Sequence, residues 1–399
     1  LFSDTIYAPE TFEGRSSRGI TELSMRIAIC SDQYLPLLSG LVDSIETLSS
    51  ELRRRGHSVR IYAPMFPGAK PDEYVYRFPA WTLPGSGDSM IIALPLGALK
   101  DMRTFEPDVI HTHLAGVTGF FALYASRRLS VPLVGTDHTL PADYLHYAKL
   151  NFPPFPYLVR KFSAWYYNRC VFVTTPGDTV LQELKDYGLQ RPSRIISNPL
   201  LTQLFRPLAG KSELKKKLGI GNRAVLIFGR IAKEKNLDFA IDVFARMNKE
   251  TELVFVGDGP YRSDLEKKIR EQNLRSRTLF LGVLRGDSLV EAVNACDVCL
   301  ITSTSETQSL TTLQSLACGL PVVAANAGGP AEYIHHGETG YLIEPTTAQS
   351  FADHLTTLLD DPNALQEFGR NARGSIAHFS PEHIAGEFEK VYERSIEKK

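Results

Sequence analysis

The sequence predicts an α/β protein of two Rossmann-like domains, each built on a parallel sheet, which face each other across a cleft. The chain has 399 residues, more than a single hydrophobic core usually holds. Short apolar segments alternate with amphipathic helical segments, and this alternation starts twice, as is typical of parallel α/β sheets. Because such sheets bind ligands at the carboxyl ends of their strands, two facing domains predict a site between them.

The first run of strands and helices begins at Met25. Residues 26–31 (RIAICS) predict an apolar strand, and a loop rich in Pro, Ser and Gly follows at 34–40. Apolar residues at helical spacing then continue to Gly56, a residue type that favours a helix end. Further strands are predicted at 58–64, 108–113, 132–138 and 171–176.

The second run begins with the strand 223–230 (RAVLIFGR), followed by an amphipathic helix at 236–247. Further strands are predicted at 252–260, 277–282, 297–302, 320–325 and 340–345. Proline and glycine break the pattern around 198–215, which indicates the join between the domains. We therefore expect an amino-terminal domain at 25–205 and a carboxyl-terminal domain at 206–378.

The two ends of the chain lie outside this pattern. Residues 1–24 have neither clear periodicity nor the apolar centre of a secretory signal, so we interpret them as an extension outside the fold. Residues 379–399 predict a helix that begins at a Ser-Pro pair, with an apolar face that includes Ile384, Phe388 and Val391. We expect this helix to pack back toward the amino-terminal domain.

Composition excludes several classes of protein. The net charge is −1 and the pI is near 6.9, so no global basic field predicts nucleic-acid binding. No apolar run is long enough to span a membrane. The five cysteines, an odd number and mostly within apolar runs, favour a reduced cytoplasmic protein. Cys296 and Cys299 have CxxC spacing, but no second pair or histidine cluster accompanies them, so we interpret them as buried strand residues.

The segment FGRIAKEKN (228–236) places two cations, Arg230 and Lys235, between a strand and a helix. Charge, forked donors and helix amides together suit a diphosphate. Lysine-rich helix starts are common, so the segment alone is equally typical of a solvated basic turn.

A second segment, 302–334, combines a carboxylate, a helix start and two glycines. Glu306 follows a buried strand, Gln314 lies eight positions later on the next helix, and the glycine pair 328–329 allows close approach of the backbone. Residues 307–310 lead into that helix, so their amides can face a ligand. Glu306 alone would also fit an acid favoured by the helix dipole.

In order and spacing, these two segments together with FVGDGP, ACGLPVVA and GGPAEYIHHGETGYLI resemble the family-4 retaining glycosyltransferases, which have the GT-B fold. The resemblance runs from Met25 to near the carboxyl terminus. In the first half, MRIAICSDQYLPLLSGLV, FEPDVIHTHL and GTDHT (135–139) look like the family's first strand and loop, its HxH strand, and the strand end whose histidine lines the donor-sugar site.

The resemblance implies a role for each matching residue. Arg230 and Lys235 neutralise the donor diphosphate as it leaves. Glu306, the first acid of the family's E-x7-E motif, bonds hydroxyls of the donor sugar, and His138 is the candidate for the sugar face in the amino-terminal domain. These four residues form the expected catalytic centre. The other expected donor contacts are Gly40, Gly229, Gly257, Thr307, Gln308, Ser309, Leu310 and Gln314.

Two positions depart from the family pattern. The second acid of the motif, which normally bonds the nucleotide ribose, is Gln314 here. A glutamine oxygen still accepts a bond from a ribose hydroxyl, but without charge, so we expect weaker donor binding with activity retained. The usual glycine three residues after the first acid is Ser309, which is expected to tighten the sugar pocket.

The sequence predicts transfer without a metal or a cofactor, because no Asp-x-Asp signature lies where a sugar-nucleotide metal site would need one. His111 and His113 face one side of a strand, but without a third ligand at clear spacing a structural or cleft-lining role is favoured. The resemblance implies attack from the face that the diphosphate leaves, with the departing phosphate as base. The carboxylate pair typical of glycoside hydrolases is not recognisable.

The stretch 143–170 suggests the acceptor, because it concentrates Tyr, Phe and Trp and contains no acid past Asp143. Its basic residues include Lys149, Arg160, Lys161 and Arg169. Such a surface suits an anionic bilayer, and an aromatic helix packed in the core is an equal alternative. SETQSLT and TDHTLPADYLHY look like the branch of the family that glucosylates diacylglycerol. We therefore expect a UDP-glucose donor, a lipid acceptor, and a cytoplasmic protein peripheral on the inner face of the membrane.

Three other interpretations stay open or are weaker. The same fold could act on a soluble sugar, an inositol phosphate or a polysaccharide, without dependence on a membrane. A non-catalytic sugar-nucleotide-binding protein is supported only by Gln314 and Ser309. A dinucleotide oxidoreductase is disfavoured, because no G-x-G-x-x-G follows the first strand.

Overall fold

A computed structural model describes residues 24–37, 39–82, 91–140, 152–344 and 346–397. The predicted extension, apart from Ser24, lies outside the described residues.

The first domain is built on a parallel sheet with the strand order β3-β2-β1-β6-β7-β8-β9, beside which β4 and β5 form an antiparallel pair. Its strands are β1 (Arg26–Cys30), β2 (Ser58–Pro64), β3 (Val75–Phe78), β4 (Ala80–Thr82), β5 (Ile91–Ala93), β6 (Val109–Thr112), β7 (Leu133–Thr136), β8 (Phe172–Thr175) and β9 (Ser193–Ile195). Its helices are α1 (Gly40–Arg54), α2 (Ala98–Phe105), α3 (Val117–Leu129), α4 (Phe155–Tyr167) and α5 (Asp178–Asp186).

The second domain is built on a parallel sheet with the order β12-β11-β10-β13-β14-β15. Its strands are β10 (Arg223–Phe228), β11 (Thr251–Val256), β12 (Thr278–Phe280), β13 (Val298–Ile301), β14 (Val322–Ala325) and β15 (Gly340–Ile343). The helices of this half of the chain are α6 (Lys211–Leu218), α7 (Leu237–Phe244), α8 (Arg262–Glu271), α9 (Gly286–Ala295), α10 (Leu310–Ala317), α11 (Pro330–Tyr333), α12 (Ala348–Asp360), α13 (Pro362–Ser375) and α14 (Pro381–Glu397).

The predicted fold class of two parallel α/β domains is confirmed. The central strands are recognisable as apolar runs because helices cover both faces of each sheet; β13, for example, is buried along its whole length. Most predicted strands extend past the observed ends, because their last residues turn away from the sheet at its carboxyl edge. The edge strands β3 and β9 were not predicted, since half-exposed edges carry only short apolar signals.

The chain crosses between the domains twice. Leu200 and Phe205 already pack in the core of the second domain, ahead of the predicted boundary after 205. At the other end, the Ser380 hydroxyl accepts a hydrogen bond from the amide of His383 (3.3 Å) as α14 begins.

Helix α14 packs on the first domain. Its apolar face, which includes Ile384, Phe388 and Val391, is buried in a core shared with β1 and α1. The guanidinium of Arg55 and the carboxylate of Glu389 form a two-pronged pair, with N–O distances of 2.5 and 2.6 Å. Such bidentate pairs fix orientation as well as adding energy, so the carboxyl-terminal helix is held in one position on the first domain.

From the sequence we expected Cys296 and Cys299 to be buried strand residues and no segment to span a membrane. All five cysteines are free and buried, including the Cys296/Cys299 pair. Across the described ranges, no helix combines the length and the apolar character that crossing a bilayer requires.

Candidate functional site

A pocket opens in the second domain between the carboxyl ends of β10 and β13. The chain runs from β10 outward to β11 on one side, whereas β13 joins on the other side. This reversal of strand order is where open α/β sheets bind ligands. The pocket encloses about 410 Å³, including space open to solvent, within the range of small-molecule sites.

Three of the residues predicted to be catalytic line this pocket together: Arg230, Lys235 and Glu306. The Lys235 ammonium lies 2.5 Å from an oxygen of the Glu306 carboxylate, and the side chains are 30% and 14% exposed. Arg230 is exposed at the mouth. A pocket with two cations and one acid can receive a diphosphate beside a hydroxylated sugar.

The loop that carries Lys235 is fixed to the end of β13. The Thr302 hydroxyl donates to the carbonyls of Lys235 (3.0 Å) and Asn236 (3.1 Å), and the Ser303 hydroxyl donates to the carbonyl of Glu234 (3.1 Å). These bonds join residues that are far apart in sequence. They hold the cation loop and the acid segment in one geometry.

The predicted glycines bring the loops after β10 and β11 together. Gly229 and Gly257 have φ values of 119° and 129°, in the region that favours glycine. A Cβ atom on Gly257 would lie 2.0 Å from the carbonyl oxygen of Gly229. Gly229 lines the pocket, whereas Gly257 supports it from behind by this close approach.

The first turn of α10 faces the first turn of α1 across the cleft. A Cβ atom on Gly40, the first residue of α1, would lie 2.8 Å from Leu310 Cδ1. Ser309 precedes α10 with a left-handed backbone (φ 63°), and its hydroxyl accepts a bond from the hydroxyl of Thr312 (2.9 Å). Two helix amino termini therefore flank one place, which favours an anion there.

Thr307 and Gln308 point toward the first domain. The Thr307 hydroxyl donates to the backbone carbonyl of His138 (3.0 Å). The side-chain oxygen of Gln308 accepts from the side-chain amide of Asn198, and its NH₂ group donates to the hydroxyl of Ser197. The polar side-chain atoms of Gln308 thus form hydrogen bonds with other protein groups. A contact between this residue and a nucleotide-sugar donor would come from its backbone.

His138 belongs to a cluster of three buried histidines. Its Nε2 lies 2.8 Å from Nδ1 of His113, whose ring centroid is 4.1 Å from that of His111. His111 in turn bonds the hydroxyls of Tyr392 on α14 (2.8 Å) and Thr136 (2.6 Å). The cluster links α14 to the cleft residue His138.

Burial holds all three histidines in the neutral form. Desolvation lowers the pKa of His111 and of His138 to about 3, and lowers that of His113 well below its usual value. Nδ1 of His138 is enclosed, and a hydrogen bond with the side chain of Asn198 raises the pKa of His138 by less than burial lowers it. A neutral imidazole of this kind suits hydrogen bonding to a sugar better than proton uptake. Within the described part of the chain, no group of three or more acidic, histidine or cysteine side chains could hold a metal ion.

Gln314 lies on α10, one turn beyond Thr311, which lines the pocket. It does not line the pocket itself.

The residues that join the domains near the site, namely Ser197, Asn198 and Glu332, were not predicted from the sequence. The Glu332 carboxylate accepts bonds from the amides of Asp178 (3.0 Å) and Thr179 (3.3 Å) at the start of α5. Their only sequence signal is the Asn-Pro break at 198–199 and the position of Glu332 after the glycine pair.

Two Rossmann-like domains with a cation-lined pocket at the switch point of the second sheet define a GT-B glycosyltransferase, an enzyme class that uses a nucleotide-sugar donor. The chain belongs to glycosyltransferase family 4. Residues 38–203 match the model described as Glycosyltransferase Family 4, and residues 210–375 match the model described as Glycosyl transferases group 1.

The chain is similar in sequence to several proteins of named activity. The alpha-monoglucosyldiacylglycerol synthase of Streptococcus pneumoniae is 32% identical over 75% of this chain and 71% of its own length. That of Acholeplasma laidlawii is 27% identical over 94% of this chain and 98% of its own length. A GDP-mannose-dependent alpha-mannosyltransferase of Mycolicibacterium smegmatis is 29% identical over 80% of this chain and 84% of its own length.

Solved structures share the fold. The Anabaena protein HepE, solved with UDP-glucose, superposes with a TM-score of 0.74 at 22% identity, over 93% of this chain and 100% of that chain. Sucrose-phosphate synthase of Thermosynechococcus elongatus superposes with a TM-score of 0.76 at 18% identity, over 94% of this chain and 100% of that chain.

Proposed function

We propose that this protein transfers glucose from UDP-glucose to a hydroxyl of diacylglycerol, with retention of configuration at the sugar. The observation that carries the proposal is an aromatic, basic surface beside the cleft in the first domain, which suits an acceptor that lies in a bilayer. The similarity to two synthases of monoglucosyldiacylglycerol supports the same acceptor.

In the donor half of the proposed site, the diphosphate lies between Arg230 and Lys235, close to the amino terminus of α10. The cations and the helix dipole stabilise the negative charge that develops as the sugar–phosphate bond breaks. Glu306 accepts bonds from sugar hydroxyls and keeps Lys235 in place. The leaving phosphate takes the proton of the acceptor hydroxyl on the same face of the sugar, which retains the configuration.

Arg230→Ala tests this placement of the donor, because it removes one of the two cations from the pocket. We expect transfer to be lost while the thermal midpoint stays close to that of the wild type. An active Arg230→Ala protein would show that the diphosphate binds elsewhere.

The proposed reaction uses no metal and no cofactor, since the side chains and helix amides supply the positive charge. Its rate should therefore be unchanged after dialysis against EDTA. A loss of activity that Mg²⁺ or Mn²⁺ restores would contradict this part of the proposal.

The acceptor surface consists of exposed rings on α3 and α4, which we call the aromatic surface. Its rings belong to Phe120, Tyr124, Tyr157, Phe162 and Trp165, all at least 41% exposed. The rings of Phe162 and Trp165 stack at 5.7 Å, and Phe120 lies 5.9 Å from Phe162. Because α3 directly follows β6, its first turn lies at the carboxyl edge of the sheet, next to the cleft.

Basic side chains lie on this surface. The Arg169 guanidinium is 3.5 Å from the centre of the Trp165 ring, and the Lys161 ammonium is 5.8 Å from the centre of the Tyr157 ring. Cations that lie over aromatic rings suit the level of lipid headgroups, where one end of a side chain is apolar and the other is charged.

The alternative of an aromatic helix packed in the core applies to only one face of α4. Tyr166 and Tyr167 are buried, and the Tyr166 hydroxyl bonds the carbonyl of Gly119 on α3 (2.8 Å). The opposite face carries the exposed rings, and the contacts among Phe120, Phe162 and Trp165 form an apolar patch of the kind that marks an interaction site. Residues 143–151 of the predicted stretch lie outside the described residues.

The membrane part of the proposal is tested by flotation with vesicles that contain phosphatidylglycerol and diacylglycerol. The double variant Phe162→Ser/Trp165→Ser should lose most vesicle binding and most transfer to diacylglycerol in vesicles, with UDP-glucose affinity unchanged. Trp81→Ser, which removes an exposed ring of the first domain outside this surface, is the matched control. Wild-type protein that fails to float with these vesicles would count against a lipid acceptor.

The donor and acceptor are tested together by mass spectrometry with a lipid extract as the acceptor pool. UDP-glucose, UDP-galactose and GDP-mannose are offered in turn, the last because a relative uses it. We expect a hexosyl-diacylglycerol product with UDP-glucose. Transfer only to soluble sugars or to inositol phosphate would replace the lipid proposal.

A further inference from the structure

We propose that Gln308 and Asn198 act as a positioning pair: their amides hold the segment that carries Glu306 against the first domain, and neither side chain contacts the donor. The proposal rests on the donor half of the proposed function and is independent of the acceptor. It assigns to Gln308 a role different from the direct donor contact that the sequence predicts.

The contacts of Gln308 leave its side chain no polar atom without a protein partner. Gln308 is 3% exposed. Its side-chain oxygen accepts bonds from the backbone amide of Asn198 (3.3 Å) and from the side-chain amide of the same residue. Its NH₂ group donates to the hydroxyl of Ser197. Both partners lie on the connection from β9 toward α6.

Asn198 continues the link to the other side of the cleft. Its side-chain oxygen accepts a bond from the hydroxyl of Ser44 on α1 (2.7 Å), and it is 9% exposed. Ser44 lies one turn after Gly40, where an added Cβ atom would lie 2.8 Å from Leu310 Cδ1. A continuous chain of hydrogen bonds therefore runs from α1 through Asn198 to the segment between Glu306 and α10.

The position of this segment determines where Glu306 and the amino terminus of α10 contact the nucleotide-sugar donor. Glu306 lies two residues before Gln308, and its carbonyl accepts a bond from the amide of Gly329 (2.7 Å) on the far side. The segment is thus held at Glu306 from the second domain and at Gln308 from the first. A displacement of about 1 Å in a positioned group costs on the order of 10²-fold in rate, so loss of the pair should lower kcat. It should also weaken donor binding, because Glu306 and the amino terminus of α10 would be displaced from the donor.

The pair needs an amide at position 308, because one end must accept and the other must donate. Methionine has a similar length but cannot accept the bonds that the backbone and side-chain amides of Asn198 donate to Gln308. A glutamate accepts from Asn198 but brings a charge into a buried place, which is unfavourable. A protonated glutamate, in contrast, has one accepting and one donating oxygen, like glutamine.

The test compares Gln308→Met, Asn198→Leu and the double variant. Calorimetry gives the Kd for UDP-glucose, assays give kcat, and thermal unfolding reports the fold. Each single variant should weaken UDP-glucose binding about 10-fold or more, and the double variant should be no weaker than the worse single variant, since contacting residues are coupled. Additive losses, or an Asn198→Leu protein with wild-type affinity, would overturn the pair and make Gln308 a direct contact.

Gln308→Glu provides a second test that a packing role would not reproduce. Its UDP-glucose affinity relative to the wild type should recover as the pH falls from 8 to 6 and the carboxylate takes up a proton. Gln308→Met should show no such relative recovery. A Gln308→Glu protein whose relative affinity is independent of pH would overturn the proposal even if the methionine variant fails to fold. Wild-type protein that does not bind UDP-glucose would refute the proposed donor, and the same variants would then be compared with the donor identified by the screen.

Discussion

The ammonium of Lys235 lies 2.5 Å from the carboxylate of Glu306, inside the pocket where β10 and β13 end. The two residues come from loops on different strands, and each fixes the other. With both side chains largely enclosed, this pair is less screened than a surface ion pair. The carboxylate therefore holds the ammonium where the diphosphate of a donor would meet it.

Lys235→Met should lower kcat/KM by about 10²–10³-fold, the usual effect of removing one group that stabilises an oxyanion. The reason is that the remaining cation, Arg230, meets the developing charge alone. Lys233→Met is the matched control, because Lys233 is exposed on the same short helix and does not line the pocket. Steady-state kinetics with UDP-glucose measure both; equal losses in the two variants would show that only the local charge matters.

Gln314→Glu restores the acid that the family carries at this position. The expected result is unchanged or tighter binding of UDP-glucose, because a carboxylate accepts a stronger bond from a ribose hydroxyl than an amide does. Calorimetry measures the change. A loss of affinity of tenfold or more would mean that Gln314 does something other than bind the ribose.

How much of this could be read from the sequence depends on how far apart the interacting residues lie. Arg230 and Lys235 were predictable because the strand, the loop and the helix that place them are consecutive. The meeting of Lys235 with Glu306 followed from the rule that ligands bind at the carboxyl ends of parallel strands. These are local patterns combined with one rule of topology.

The role of the Gln308 side chain was not predictable in this way. Its partners, Ser197 and Asn198, lie more than a hundred positions away in the chain, at a break between domains where no periodic pattern exists. The same applies to His138, which joins His113 only because β6 and β7 are neighbours in the sheet. Contacts set by how one domain meets another, or by strand register, leave little signal in a single sequence beyond breaks such as the Asn-Pro pair at 198–199.

Ser309 offers a test of backbone strain at the site. Its φ of 63° costs a residue with a Cβ atom about 1 kcal/mol relative to glycine. Ser309→Ala and Ser309→Gly both remove the hydroxyl that accepts from Thr312, so their difference isolates the backbone term. The free energy of unfolding, measured with denaturant, should be about 1 kcal/mol higher for the glycine variant than for the alanine variant. Equal stabilities would show that the left-handed conformation is not strained.

The buried His111 gives a prediction for pH. Its pKa is about 3 in the folded protein against about 6.5 in an unfolded chain. Above pH 6.5 both states are neutral and the site has no effect; below it, the unfolded chain takes up a proton that the folded protein refuses. Protonation of the unfolded chain at this histidine therefore lowers the stability below pH 6.5, and the slope approaches about 1.4 kcal/mol per pH unit as the pH decreases toward 3.

The variant His111→Asn cannot take up that proton, so its disadvantage relative to the wild type should shrink by about 1.0 kcal/mol between pH 6.5 and 5.5. Urea unfolding followed by tryptophan fluorescence measures this, because Trp81 and Trp165, the two tryptophans of the chain, both lie in the same domain as His111. Burial raises the pKa of Asp137 to about 7, which has the opposite sign. Asp137 is present in both proteins and cancels in the difference. If the free energy of unfolding changed with pH by the same amount in both proteins, His111 would be protonated in the folded state. The cluster linking α14 to the cleft would then be charged.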